Sequence, residues 1–205
     1  MKEKSNLWPA VLLLLAFALS RWPGLLPDNF SAAYALAFCA GVYFPRRLAW
    51  WLPLSAFLTT DIVMNLLYYH VAPFSPFMLV NYGTYAVIIG IGKRFSVHAS
   101  WLKLVSGSLL GAVLFYLVTN TAAWLQNPEY AKTLAGWFQA LTIGIPRYPP
   151  TWMFFWKTLL STGLFTGLFA GTMKLSEKAE AKETEAVEEE PENRPEGAQT
   201  EESQA

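Results

Sequence analysis

LAWWLPLSAFLTTDIVMNLLYY, residues 48–69, decides the class of this chain: 22 residues carry one formal charge, Asp61, and Pro53 sits in the first turns, where a missing amide donor does least damage. About 20 apolar residues cross the ~30 Å hydrocarbon of a bilayer as a helix. Five further apolar runs flank this one: Leu7–Leu19, Ala32–Phe44, Phe77–Gly92, Trp101–Trp124 and Trp152–Met173. Short loops between them carry most of the charge. A soluble domain of this size has no interior that could hold all six, so the sequence predicts an all-α, polytopic membrane protein with six transmembrane helices and the lipid bilayer as its solvent.

The formal net charge of zero averages two different regions. Up to Leu175 there are 12 basic and 4 acidic residues, and residues 176–205 hold 3 basic and 11 acidic ones. The second region has no aromatic residue and a single β-branched aliphatic, Val187, so it cannot bury enough apolar area to offset its ordering entropy. The expected division is a transmembrane domain over 1–175 and a disordered, acidic cytoplasmic tail over 176–205. Tryptophans cluster at the ends of the runs, among them Trp22, Trp50, Trp51, Trp101, Trp124 and Trp152, as interfacial belts do. Cys39 is the sole cysteine and forms no intrachain disulfide.

Orientation follows from the basic residues. A cytoplasmic N-terminus places Lys2, Lys4, Arg46, Arg47, Lys93, Arg94, Lys103, Lys174 and Lys178 inside, against Arg21, Lys132 and Arg147 outside. Both termini are then cytoplasmic. The same bias argues against a seventh crossing at Thr133–Ile145, which reads as an interfacial or re-entrant helix in the last outer loop, ended by Pro146, Pro149 and Pro150. The first run is short, and Ala16-Phe17-Ala18 offers a cleavage site. An uncleaved anchor is preferred, with Arg21 and Trp22 snorkelling to the far interface.

Small residues recur at four-residue spacing: Ala33, Ala37 and Gly41 in the second run, Gly107 and Gly111 in the fifth, Gly163, Gly167 and Gly171 in the sixth. Such rows let helix backbones approach closely, either within the monomer or toward a partner subunit. Among polar groups Asp61 stands out, about eleven positions into its run and so near the bilayer midplane. Asn65 follows one turn later on the same face. An acid at that depth is a ligand or ion site, or else a buried pair or neutral carboxylic acid that fixes packing. Lys157, in the last run, could pair with Asp61, contact an anionic group or snorkel outward. Asn81 and Tyr85 near the outer end of the fourth run, and Asn120 and Trp124 near that of the fifth, mix amides with aromatic faces, as small-molecule pockets and interhelical hydrogen bonds both do.

Covalent and metal chemistry are not expected. His70 and His98 fall on opposite membrane faces, and no Ser-x-x-Lys pair or glycine-rich phosphate loop is present. The expectation is a non-enzyme with no cofactor, no metal site and no nucleic-acid partner, its energy coming from an ion gradient or other subunits.

Asp28-Asn29-Phe30-Ser31 with Ala35 to Phe44, Leu52-Pro53-Leu54-Ser55 with Asp61, Val118-Thr119-Asn120 to Trp124, and Tyr130 to Gly136 together resemble an uncharacterised bacterial family assigned to transport. The resemblance covers nearly all of residues 20–173. That family is similar to the S components of energy-coupling factor transporters, six-helix proteins that capture vitamins or metal ions. The resemblance implies a ligand held near the outer face, a lid over 129–145, and docking to a membrane coupling subunit with cytoplasmic ATPases. The reading that follows is a bacterial inner-membrane transport protein that binds a small solute from outside, with Asp61, Asn65, Asn81, Tyr85, Asn120 and Trp124 as pocket residues and Lys157 as an anion contact. The alternative is a non-transporting scaffold of an envelope complex, docked through Ala33, Ala37 and Gly41.

Overall fold

The computed structural model describes residues 8–189; Lys2, Lys4 and the tail beyond Glu189 lie outside them. Among the described residues all regular structure is helical: α1 Trp8–Ser20, α2 Ala33–Tyr43, α3 Leu48–Val63, α4 Phe77–Gly92, α5 Trp101–Gln126, α6 Leu134–Leu141 and α7 Thr151–Glu189. A π-helical turn, Met64–Tyr68, extends α3. The chain divides into a helical body, Met1–Gly171, and a C-terminal segment, Thr172–Ala205.

Three helices are long and apolar enough to cross a membrane: Leu48–Tyr68, Trp101–Gln126 and Thr151–Ala179. Val11–Ser20, Ala33–Tyr43 and Phe77–Gly92 are apolar but shorter. Of these, α2 has 11 residues and rises only about 16 Å, half a hydrocarbon thickness. Its burial accounts for that length. Every residue from Ala35 to Val42 is buried, with α1, α3, α4 and α5 packed around it. Tyr43 meets Phe169 of α7 edge to face at 5.4 Å. A helix sheathed by protein need not match the thickness of lipid.

The packed face of α7 carries a row of hydroxyls and its outer face is apolar. On α7 the buried face is Thr158, Ser161, Thr162 and Thr166, whereas Trp152, Trp156, Leu160 and Leu164 stand 54, 58, 51 and 48% exposed at four-residue spacing. The Ser161 and Thr162 hydroxyls donate to the Thr158 carbonyl at 3.0 and 2.7 Å, so burial leaves them satisfied. On α5, Gly107, Ser108, Gly111 and Ala112 turn inward and Leu102, Leu110 and Leu117 outward. Water would drive these faces the other way. Leucine rows of this extent suit an apolar solvent.

Gly41 and Gly92 bring α2 and α4 into backbone contact. A Cβ on Gly41 would fall 3.0 Å from Gly92 Cα and nearer still to the Ile89 carbonyl. Ala33 and Ala37 are likewise buried, so the row Ala33, Ala37, Gly41 packs inside the molecule and is no face for a partner subunit. Gly107 lies against the Phe95 and Phe38 rings, and Gly111 against Ile88. The glycine row of α7 is looser than its spacing predicts. Gly167 lies under Trp101, whose indole donates to the Gly167 carbonyl at 3.0 Å, while Gly163 has only Leu109 nearby and Gly171 has nothing within 4 Å of a Cβ. The hydroxyl row beside these glycines supplies the packing face. Its side chains are small enough for close approach and can bond back to their own helix.

Helix α6 occupies the first part of the stretch Thr133–Ile145. Thr133 caps it by accepting from the Gly136 amide at 3.2 Å, Leu134 and Phe138 are exposed, and the Tyr116 hydroxyl donates to the Leu141 carbonyl. In the C-terminal segment the structure departs from the expected disorder: residues 176–189 are helical. Ala, Glu and Lys dominate there and are strong helix formers, so local propensity gives helix where no core is available. The remainder of the expected tail, 190–205, lies outside the described residues.

Candidate functional site

Asp61 sits about 20 Å along the helix, some two-thirds of the way from Leu48 to Tyr68, and closer to the middle of that run than to its end. Its carboxylate is doubly occupied. Arg21 donates from Nη2 to Oδ1, and the Tyr82 hydroxyl donates to Oδ2 at 2.8 Å. The Arg21 and Asp61 side chains retain 25 and 18% exposure. The turn ending α1 aims the arginine: its amide bonds to the Phe17 carbonyl at 3.1 Å, and the guanidinium lies 5.8 Å above the Phe17 ring. Phe17 in turn packs edge to face on Phe57 at 5.1 Å. Arg21 therefore turns inward instead of extending the span by snorkelling. Arginine offers a fork of donors that a lysine lacks, which suits a carboxylate also taking a phenol.

Beneath the ion pair lies an aromatic cluster. Tyr85 is buried and its ring lies 4.3 Å from Phe57, 5.0 Å from Phe115 and 6.2 Å from Tyr82. Beside Arg21 opens a hollow of about 230 Å³, bounded by the α1–α2 loop on one side and by Met64, Tyr68 and Tyr69 on the other. Arg21 forms part of its wall. The π-helical turn supplies the opposite wall, closed by the Tyr69 amide on the Met64 carbonyl at 2.9 Å; such turns recur at functional sites because they re-aim the residues that follow. A more apolar groove of about 570 Å³ runs along the flank between α1 and α3, past Ala18, Val63 and Leu67, and shares Arg21, Trp22, Met64 and Tyr68 with the hollow.

The residues chosen from sequence do not converge on one cavity. Asn65 donates to the Pro73 carbonyl at 3.2 Å and so ties down the loop after α3. Asn81 is half-buried on α4. Asn120 donates to the Tyr116 carbonyl of its own helix at 2.8 Å. Trp124 donates to the Ala131 carbonyl at 2.8 Å, and Lys132 caps the Trp124 and Asn127 carbonyls, so this cluster fastens the α5–α6 loop. Burial, with the Glu129 charge adding, pushes the Tyr130 phenol in that loop above its ordinary range. Lys157 lies 6.0 Å over the Phe154 ring, and Arg21 takes the place at Asp61 that Lys157 could have held. The sequence alone reads Arg21 as a snorkelling end residue and Asp28 to Ser31 as carriers of the family resemblance, and assigns neither to a pocket. The available signal was chemical: an acid inside an apolar run needs a base, and Arg21 ends the neighbouring run on the same side. Among the described residues no three His, Cys, Asp or Glu side chains gather where they could hold a metal ion.

Tyr82→Phe removes one hydrogen bond to a carboxylate and is expected to cost about 1.5 kcal/mol. Thermal unfolding of the purified protein in detergent measures it.

The fold and this site define, among the described residues, an all-helical protein with three apolar helices of membrane length and a hollow that has the ion-paired Arg21 in its wall. Residues 1–185 match the family of unknown function DUF6580, and the chain belongs to that family. A comparison with curated proteins finds no match.

Proposed function

We propose that this protein crosses the bacterial inner membrane six times, with both termini in the cytoplasm, and captures a small solute from the outer side for uptake. The observation that carries this reading is the hollow that has Arg21, the ion-pair partner of Asp61, in its wall. It lies at the end of the body where α1 and α3 finish, the outer end in the orientation that the basic residues favour. Long α3, α5 and α7 would cross by themselves, and the shorter α1, α2 and α4 would cross within the bundle. We put the pocket between the α1–α2 loop and the π-helical turn, not at Asn120, which bonds back to its own helix, or at Trp124, which holds a loop. The resemblance to S components supports uptake with a membrane coupling subunit and cytoplasmic ATPases, which would drive reorientation and release. The scaffold alternative loses its docking face, because Ala33, Ala37 and Gly41 are enclosed.

Native mass spectrometry of gently extracted protein tests the reading. A small molecule retained by the protein and lost from Leu26→Trp, which adds bulk to the lining of the hollow, is the expected result. The reading fails if nothing is retained and no vitamin, nucleobase or metal ion raises the unfolding temperature.

A further inference from the structure

The polar groups of the hollow differ in what they still have to offer. Arg21 is matched in charge by Asp61. The Ser20 hydroxyl, also in the lining, is used within the protein: it donates to the Phe17 carbonyl at 2.7 Å and accepts the Ala32 amide at 3.0 Å. Ser31 accepts the Ala33 amide at 3.2 Å. Asp28 carries the other formal charge of the lining. It lines the hollow, is exposed, and has neither an ion-pair nor a hydrogen-bond partner among the described residues. A turn holds it in place, closed by the Phe30 amide on the Pro27 carbonyl at 2.9 Å, with Asn29 in the left-handed region at φ +60°. With Arg21 and Asp61 cancelling, the uncompensated charge at the hollow is the negative one of Asp28.

Aromatic rings share the hollow with it. Trp22, Tyr68 and Tyr69 line the same hollow at 70, 55 and 58% exposure, and the two tyrosines meet edge to face at 5.0 Å. Exposed aromatics at this level would serve equally as a membrane-interface belt. A belt has no use for an unpaired carboxylate in its midst, whereas ring faces beside a carboxylate form the arrangement that attracts an ammonium group. An anion would meet Asp28 and compete with Asp61 for Arg21. A neutral apolar solute would leave Asp28 unused.

We propose that the hollow binds a small organic cation, an alkylated or quaternary ammonium group seated between the Asp28 carboxylate and the rings of Trp22, Tyr68 and Tyr69. This rests on the solute-capture reading and names the class of solute. Arg21, neutralised by Asp61, then acts as a rigid part of the wall and takes no ligand charge.

Three probes of one shape and different charge test it on the full-length protein in detergent: choline, its neutral isostere 3,3-dimethylbutan-1-ol, and the anionic 3,3-dimethylbutanoate. Choline alone is expected to raise the unfolding temperature. Asp28→Asn and Trp22→Ala are each expected to weaken choline binding about tenfold in titration calorimetry. Equal shifts from choline and the alcohol, a shift from the carboxylate alone, or undiminished binding by Asp28→Asn overturns the proposal. If no probe binds but native mass spectrometry finds a solute lost from Leu26→Trp, the cation inference falls and solute capture stands. If neither is seen, both fall.

Discussion

Gly41→Leu is expected to abolish recovery of folded protein. The α2 and α4 backbones touch at Gly41 and Gly92, where even a single Cβ on Gly41 would sit 3.0 Å from Gly92 Cα and Lys93 N and closer to the Ile89 carbonyl. These atoms are backbone and cannot swing aside as a side chain would. The helices must separate, and α2 packs against α1, α3 and α5 as well and meets α7 through Tyr43, so the strain spreads through the core. Overpacking usually costs about 1–3 kcal/mol where side chains can adjust, and a backbone collision lies at or beyond the upper end of that range. Gly41→Ala should therefore lower the unfolding temperature markedly, and leucine should leave little monodisperse protein by size exclusion. Gly171→Ala is the control. A Cβ there meets nothing within 4 Å, and its effect should stay within about 0.5 kcal/mol. Equal tolerance at both positions would contradict the tight α2–α4 contact.

Asp61→Ala should be the most damaging single change at the site. It leaves the Arg21 guanidinium, three-quarters removed from solvent, without its counter-charge and strips the Tyr82 hydroxyl of its acceptor. Breaking one side of a buried pair costs about 3–5 kcal/mol, and the remaining exposure of both side chains sets the expectation near 3 kcal/mol. Replacing both partners should be milder. Arg21→Met with Asp61→Leu removes both charges together, and a double-mutant cycle should return a coupling of about 1–3 kcal/mol. A coupling near zero would mean that the two groups stabilise the fold independently.

Much of this molecule was legible from side-chain chemistry taken one run at a time. The apolar runs correspond to helices because apolarity and helical length are local properties, readable without knowing what each helix touches. Asp61 was identifiable as unusual on the same basis, since an acid inside such a run needs a special reason to be there. What Asp61 bonds to was not readable. Arg21 lies 40 residues away in sequence, and nothing in either run records that α1 and α3 end side by side. Asn65, Asn120 and Trp124 show the opposite difficulty. Amides and indoles near helix ends look like ligand contacts, but nearby backbone carbonyls take the side-chain donors, in a loop for Asn65 and Trp124 and within its own helix for Asn120. The α7 packing face was misjudged because glycine spacing permits close approach without saying which face turns inward. Burial of Thr158, Ser161, Thr162 and Thr166 decided that.

The sequence by itself determined that the chain is helical and that its outward faces suit an apolar solvent, because composition and run length depend on nothing beyond neighbouring residues. Only the tertiary structure decided that α2 is an enclosed helix, that Arg21 and Tyr82 close on Asp61, and that Asp28 lines a hollow together with aromatic rings. Those outcomes depend on which helix ends meet in space. Close backbone contact between small residues sets that arrangement, and many different pairings of the same runs would satisfy the same pattern of apolar residues.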